Sequence, residues 1–180
     1  NGVPSPEFEE VDEKRLEELL ILAKNVYSSA ILYEQMKERK IHRTYLAIVS
    51  GKLTESGTID LPIGRKSESV IERCIDTLHG ERAVTHYEVL EAREDQTLVK
   101  CQLETGRTHQ IRVHMQAIGH PLVGDFLYNP EAAREERPLL HSWRLAFTHP
   151  VSGDEVFFTA PVPADMQGWK WFQPAEMNVT

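Results

Sequence analysis

The stretch from Leu103 to Gly124 constrains this chain most. An alternating run ends at Thr105, Gly106 follows, and Thr108-His109-Gln110-Ile111-Arg112-Val113-His114-Met115 then gathers polar groups too densely for a plain core element. Glycine takes φ > 0 without steric cost, so Gly106 is expected to turn the chain out of a strand. Thr108 suits a helix N-cap, and Gly119 with Pro121 just beyond suits a helix stop. The spacing predicts a helix that carries His109, Gln110, Arg112 and His114 to the end of a sheet. Arg112 lies four residues after Thr108 and His114 four after Gln110, so each pair shares a helix face. An arginine so placed holds a carboxylate or phosphate side-on, or makes a structural ion pair; spacing leaves both open. His109 and His114 are five apart, not the four that sets two metal ligands on one helix face.

The rest of the chain supplies a sheet for that helix. Tyr45 to Val49 reads as a strand turned by Ser50-Gly51, and Gly57 to Ile63 as a short extended piece. Ala83 to Glu91 puts Ala83, Thr85, Tyr87 and Val89 on one face. Thr97 to Thr105 alternates Val99, Cys101 and Leu103 inward against Lys100, Gln102 and Glu104. These two runs read as a hairpin. Val70 to His79 has no clear period. Asp125 to Pro138 reads as a loop, Leu139 to Phe147 and Glu155 to Thr159 as two further strands, and Pro161 to Trp171 as a last short helix. From Val11 to Lys40 an apolar stripe at Leu16, Leu19, Leu20, Ala23, Val26 and Tyr27 has helical spacing, yet Leu19 to Ala23 alone fits a buried strand equally well. Several antiparallel strands with two or three helices argue an α+β fold.

Composition limits the function classes. At 180 residues, 41% hydrophobic and 27% charged, the chain is of ordinary globular type. No apolar run reaches the roughly 18 residues of a membrane helix, and the N-terminus lacks the regions of a signal peptide. Cys74 and Cys101 make no disulfide framework, so a reduced, cytoplasmic setting is expected. The net charge of −8 opposes nucleic-acid binding, but Glu7 to Glu18 concentrates the acids, while cations cluster at Lys37, Arg39, Lys40 and Arg43, at Arg65 and Lys66, and at Arg107 and Arg112. A local basic surface binds phosphates inside an acidic protein because fields fall off within about 10 Å at moderate salt. There is no Gly-x-Ser-x-Gly elbow and no phosphate loop. Tyr45 reads either as strand packing or as an aromatic platform for an unstacked base.

Residues 103–124 resemble the signature of the RluA/RluD-type RNA pseudouridine synthases. Further pieces match in order: Arg43-Thr44-Tyr45-Leu46-Ala47, Leu61-Pro62-Ile63-Gly64-Arg65, Ala83-Val84-Thr85-His86-Tyr87, His141-Ser142-Trp143-Arg144-Leu145 and Ala160-Pro161-Val162-Pro163. The resemblance spans about residues 19–165. It implies an α+β domain with a mixed, mainly antiparallel sheet, incomplete on its N-terminal side. It also implies isomerisation of uridine in rRNA or tRNA, with RNA as partner and no metal or organic cofactor.

By motif the base-stacking tyrosine falls on Tyr45, and the arginine that pairs with the nucleophilic aspartate falls on Arg112. Arg43, Arg65, Arg107, His109 and Gln110 are implied as RNA contacts. The family's His-Arg-Leu-Asp segment has no counterpart. An ungapped count back from Leu19-Leu20-Ile21-Leu22-Ala23-Lys24 sets Glu13 at the nucleophile position. That alignment favours a strand over Leu19–Ala23 and a helix from near Val26. Residues 1–18 are read as an acidic lead-in, and 19–180 as the C-terminal portion of the catalytic domain. Three readings follow: an isomerase, a non-catalytic RNA-binding module, or an inactive fragment completed by another chain or segment.

Overall fold

The computed structural model describes residues 19–67, 69–130 and 137–172. Strands β1 (His42–Ser50), β2 (Gly57–Asp60), β5 (Val84–Ala92), β6 (Gln96–Leu103), β7 (Leu140–Thr148) and β8 (Glu155–Thr159) form one sheet in the order β2-β5-β6-β1-β7-β8. Every pairing within it is antiparallel. A two-stranded ribbon of β3 (Ile63–Arg65) and β4 (Arg73–Ile75) stands beside it. β4 gives structure to the stretch that has no period in sequence. The α+β reading with a mainly antiparallel sheet holds.

The sheet is covered on both faces, which is why β1 is apolar and buried at successive positions from Leu46 to Val49 rather than alternating. On one face Ala47, Val49, Val99 and Cys101 pack with Ile111 and Met115 of helix α2 (Gln110–Ala117). On the other, Leu46, Ile48, Leu98 and Trp143 pack with Met166 and Trp169. The expected last helix is here two short 3-10 turns, Ala164–Met166 and Lys170–Phe172. Burying large side chains such as Leu46, Leu98 and Met115 contributes roughly 1.5–3 kcal/mol each.

Helix α1 (Val26–Lys37) begins where the alignment sets it. Asn25 caps it by accepting from the Ser28 N–H at 2.8 Å. The apolar stripe does not become a helix face: Val26 and Tyr27 are exposed, and the buried residues of α1 are Ser28 and Gln35. Gln35 ties the helix to the sheet, donating to the Thr148 carbonyl at 2.8 Å and accepting from its N–H at 3.0 Å. Residues 19–23 pair with no strand among the described residues and do not form the expected strand there. The Ser142 hydroxyl reaches the Leu19 carbonyl at 3.4 Å, and Leu20 and Leu22 face solvent. Apolar content alone did not specify a partner edge. No helix among the described residues is long and apolar enough to cross a membrane.

Candidate functional site

The turn into α2 is built by Gln110 rather than by Gly106 and Thr108. The Gln110 side-chain oxygen accepts from the Thr105 hydroxyl at 2.8 Å and from the Arg107 N–H at 3.0 Å. Its amide donates to the Val84 carbonyl at 2.9 Å and to the Thr85 hydroxyl at 3.0 Å. Thr85 in turn reaches His114 Nδ1 at 2.9 Å, and His114 Nε2 donates to the Leu61 carbonyl at 2.9 Å. This buried chain pins the loop to β5. Left-handed backbone falls on His109, at φ 57, not on Gly106, and His109 rather than Thr108 is the N-cap residue. Gly119, at φ 83, closes the helix as expected.

The expected display of four polar side chains therefore splits into two. Gln110 and His114, four apart, point into the core with 2% and 0% exposure. Gln110 is thus not an RNA-facing group: its polar atoms are spent inside the protein. Burial lowers the His114 pKa, so its imidazole is neutral in the core. His109 and Arg112 lie on the other side of the helix.

Arg112 meets Asp125. Its Nε and Nη2 donate to the two carboxylate oxygens at 2.7 and 2.6 Å, a side-on pair. Asp125 is fully buried, and it also accepts the Leu127 and Tyr128 N–H groups at 3.1 Å each. Four donors on one carboxylate satisfy a buried charge that would otherwise be prohibitive. The ring of Tyr128 lies under the Arg112 guanidinium, 4.8 Å from its centre. The Tyr128 hydroxyl accepts the Arg73 N–H at 2.9 Å and sits 2.9 Å from His109 Nδ1. Burial first, then the Arg112 and Arg73 charges, lowers the His109 pKa. The sequence reading left Asp125 and Tyr128 in a loop. A carboxylate directly after Gly124 and thirteen residues beyond the arginine was the available signal.

Tyr45 is half-buried on β1, opposite Cys101 of β6. It packs against the cluster that holds Ile111 and Met115, so it shares a sheet face with α2. The β1–β7 register slips between Thr44 and Tyr45, a bulge of the kind that re-aims a side chain. Two clefts meet at Gly106 and Arg107. One, of about 380 Å³, takes Lys37, Arg39 and Arg43, and the other, of about 400 Å³, takes Arg65 and Arg73. Arg107 pairs with Glu81 and donates to the Arg82 carbonyl at 3.2 Å, whereas Arg43 and Arg65 enter no ion pair with a described residue. Glu13 lies outside the described residues.

Residues 19–117 match the family described as RNA pseudouridylate synthase. The chain belongs to this family. It is 46% identical over 149 residues to the uncharacterized RNA pseudouridine synthase YjbO of Bacillus subtilis (strain 168), covering 82% of this chain and 52% of that protein. To the ribosomal large subunit pseudouridine synthase D of Nitrosomonas europaea it is 44% identical over 157 residues, covering 82% and 45%. The chain thus spans about half the length of the curated relatives it matches. The solved human RNA pseudouridylate synthase domain containing 1 superposes with a TM-score of 0.66 at 31% identity, over 85% of this chain and 64% of that one. The region matched to the pseudouridylate synthase family contains Tyr45 and Arg112 but stops short of Asp125.

Proposed function

We propose that this protein isomerises uridine to pseudouridine in structured RNA, either rRNA or tRNA. The bond from C1′ to N1 breaks, the uracil turns, and a bond from C1′ to C5 forms. The C5 proton is lost and N1 gains one, so no redox partner is needed. In this reading Tyr45 stacks on the flipped base and Arg112 meets the nucleophilic carboxylate. Arg43, Arg65, Arg107 and His109 contact the RNA, Glu13 stands at the nucleophile position, and residues 19–180 are the C-terminal portion of the catalytic domain. The observation that carries the reading is that the family match over residues 19–117 holds both Tyr45 and Arg112, and that Tyr45 packs on the sheet face covered by the helix that carries Arg112.

One observation favours a second reading, a non-catalytic RNA-binding module. Asp125, the carboxylate on Arg112, is fully buried under four donors and is no nucleophile. The two readings separate in one experiment. The chain and a version carrying His-Arg-Leu-Asp at residues 10–13 are assayed for pseudouridine in RNA, and both are titrated with RNA across a salt series. Turnover by the chain itself supports the isomerase. RNA binding that weakens with salt, without turnover until the segment is restored, supports the module. Neither binding nor turnover in either protein refutes both.

A further inference from the structure

The hydroxyl of Tyr128 fixes the proton of His109. A backbone N–H only donates, so the phenol oxygen accepts from Arg73 at 2.9 Å. Tyr128 is 6% exposed, and a buried hydroxyl hydrogen needs an acceptor. His109 Nδ1, at 2.9 Å, is in reach. Nδ1 therefore accepts, and the ring proton of a neutral His109 sits on Nε2. The charged and titratable groups facing this imidazole are Arg112 on its own helix, Arg73 on β4, and Asp125 and Tyr128 on the loop after Gly124. The two arginines disfavour a third cation, which keeps His109 neutral.

The same ring serves Arg112. Its face lies under the guanidinium, and its edge meets the His109 ring, with centres 5.6 Å apart at 79°. The loop holding Tyr128 is locked by Asp125, which accepts the Tyr128 N–H, and by Gln116, which donates to the Tyr128 carbonyl at 3.1 Å. One rigid phenol thus sets both His109 and Arg112.

We propose that Tyr128 is a positioning residue that presents His109 to RNA as an uncharged Nε2–H donor beside the Arg112 cation. An uncharged donor recognises an acceptor such as a base carbonyl without releasing counterions, so it adds direction but no salt dependence. This proposal rests on the RNA reading of the same site.

The test uses the full chain with 15N-labelled imidazoles and a uridine-bearing RNA hairpin. Tyr128→Phe keeps the ring under Arg112 and removes only the hydroxyl. Expected are an Nε2–H tautomer for His109 in the wild type, loss of that preference in Tyr128→Phe, and a higher His109 titration point there. Hairpin affinity should fall about fivefold in Tyr128→Phe and in His109→Ala, as for one lost hydrogen bond. The double variant should bind no more weakly than His109→Ala, and the salt slope should not change. An Nδ1–H tautomer in the wild type, additive losses, or a shallower salt slope overturns the proposal. If the wild type binds no hairpin, the RNA reading and the substrate half of this proposal both fall. The imidazole spectra still decide the part played by Tyr128.

Discussion

Neutralising Asp125 should unsettle this fold more than any other single polar substitution near α2. Asp125→Asn keeps one oxygen for the Leu127 and Tyr128 N–H groups but turns an NH2 toward the Arg112 Nε. Arg112 then holds its charge with 14% side-chain exposure and no counter-ion from Asp125. Removing one partner of a buried pair costs about 3–5 kcal/mol. Because the turn N–H groups stay satisfied, the low end applies, about 3 kcal/mol. With a urea m-value of roughly 2 kcal/mol/M, the unfolding midpoint should drop by about 1–2 M. Asp125→Ala should fall further, since it also strands two N–H donors. The double variant Arg112→Met with Asp125→Asn removes the stranded charge and should return to within about 1 kcal/mol of wild type, far short of the sum of the two single losses. A loss under about 1 kcal/mol for Asp125→Asn, or losses that add in the double variant, would refute the claim that the pair is a single buried unit.

Two further outcomes rest on burial. His109 and His114 both have folded pKa values lowered below 6.5, chiefly by burial. The unfolded chain therefore binds more protons as pH falls through that range. The stabilisation is full above about pH 6.5 and is lost below it, by at most about 1.4 kcal/mol per pH unit for each imidazole. Urea midpoints should fall from pH 7.5 to pH 5, less so in His114→Gln, and a flat profile would contradict the burial argument. Cys101 is fully buried, with its thiol pushed up to about 12, whereas Cys74 is partly exposed. Iodoacetamide should label Cys74 alone in native protein and both residues in denaturant, read by mass spectrometry; equal native rates would contradict it.

The sequence made legible what local pattern controls. The hairpin of β5 and β6 followed from alternation, β1 from its apolar run, and the stop of α2 from Gly119. Elements set by long-range contacts were not legible. Leu19–Ala23 is apolar enough for a strand, but a strand needs an open edge with matching register, and nothing local encodes one. The stripe through Tyr27 has helical spacing, yet α1 is anchored by a polar residue, Gln35, whose partner Thr148 lies 113 residues away. Gln110 read as an RNA contact because a polar residue in a signature invites a ligand. Its four internal hydrogen bonds, to Thr105, Arg107, Val84 and Thr85, could be seen only once β5 was placed beside the turn.

Arg112 shows the same division, with a consequence for chemistry. No His-Arg-Leu-Asp segment stands among the 180 residues, which leaves open what balances the Arg112 charge. Among the described residues the answer comes from thirteen residues downstream, where Asp125 holds the cation in place. A guanidinium carries five N–H donors in a fixed fork. Asp125 engages the edge formed by Nε and Nη2. A second carboxylate can approach only from the end that carries Nη1, and it would meet a cation already half-neutralised. Such an arrangement holds the guanidinium rigid for an incoming aspartate while lowering its pull on that aspartate's proton. In this fold the Arg112 site is therefore preformed, and adding or removing a nucleophile upstream should change turnover far more than it changes the stability of the domain.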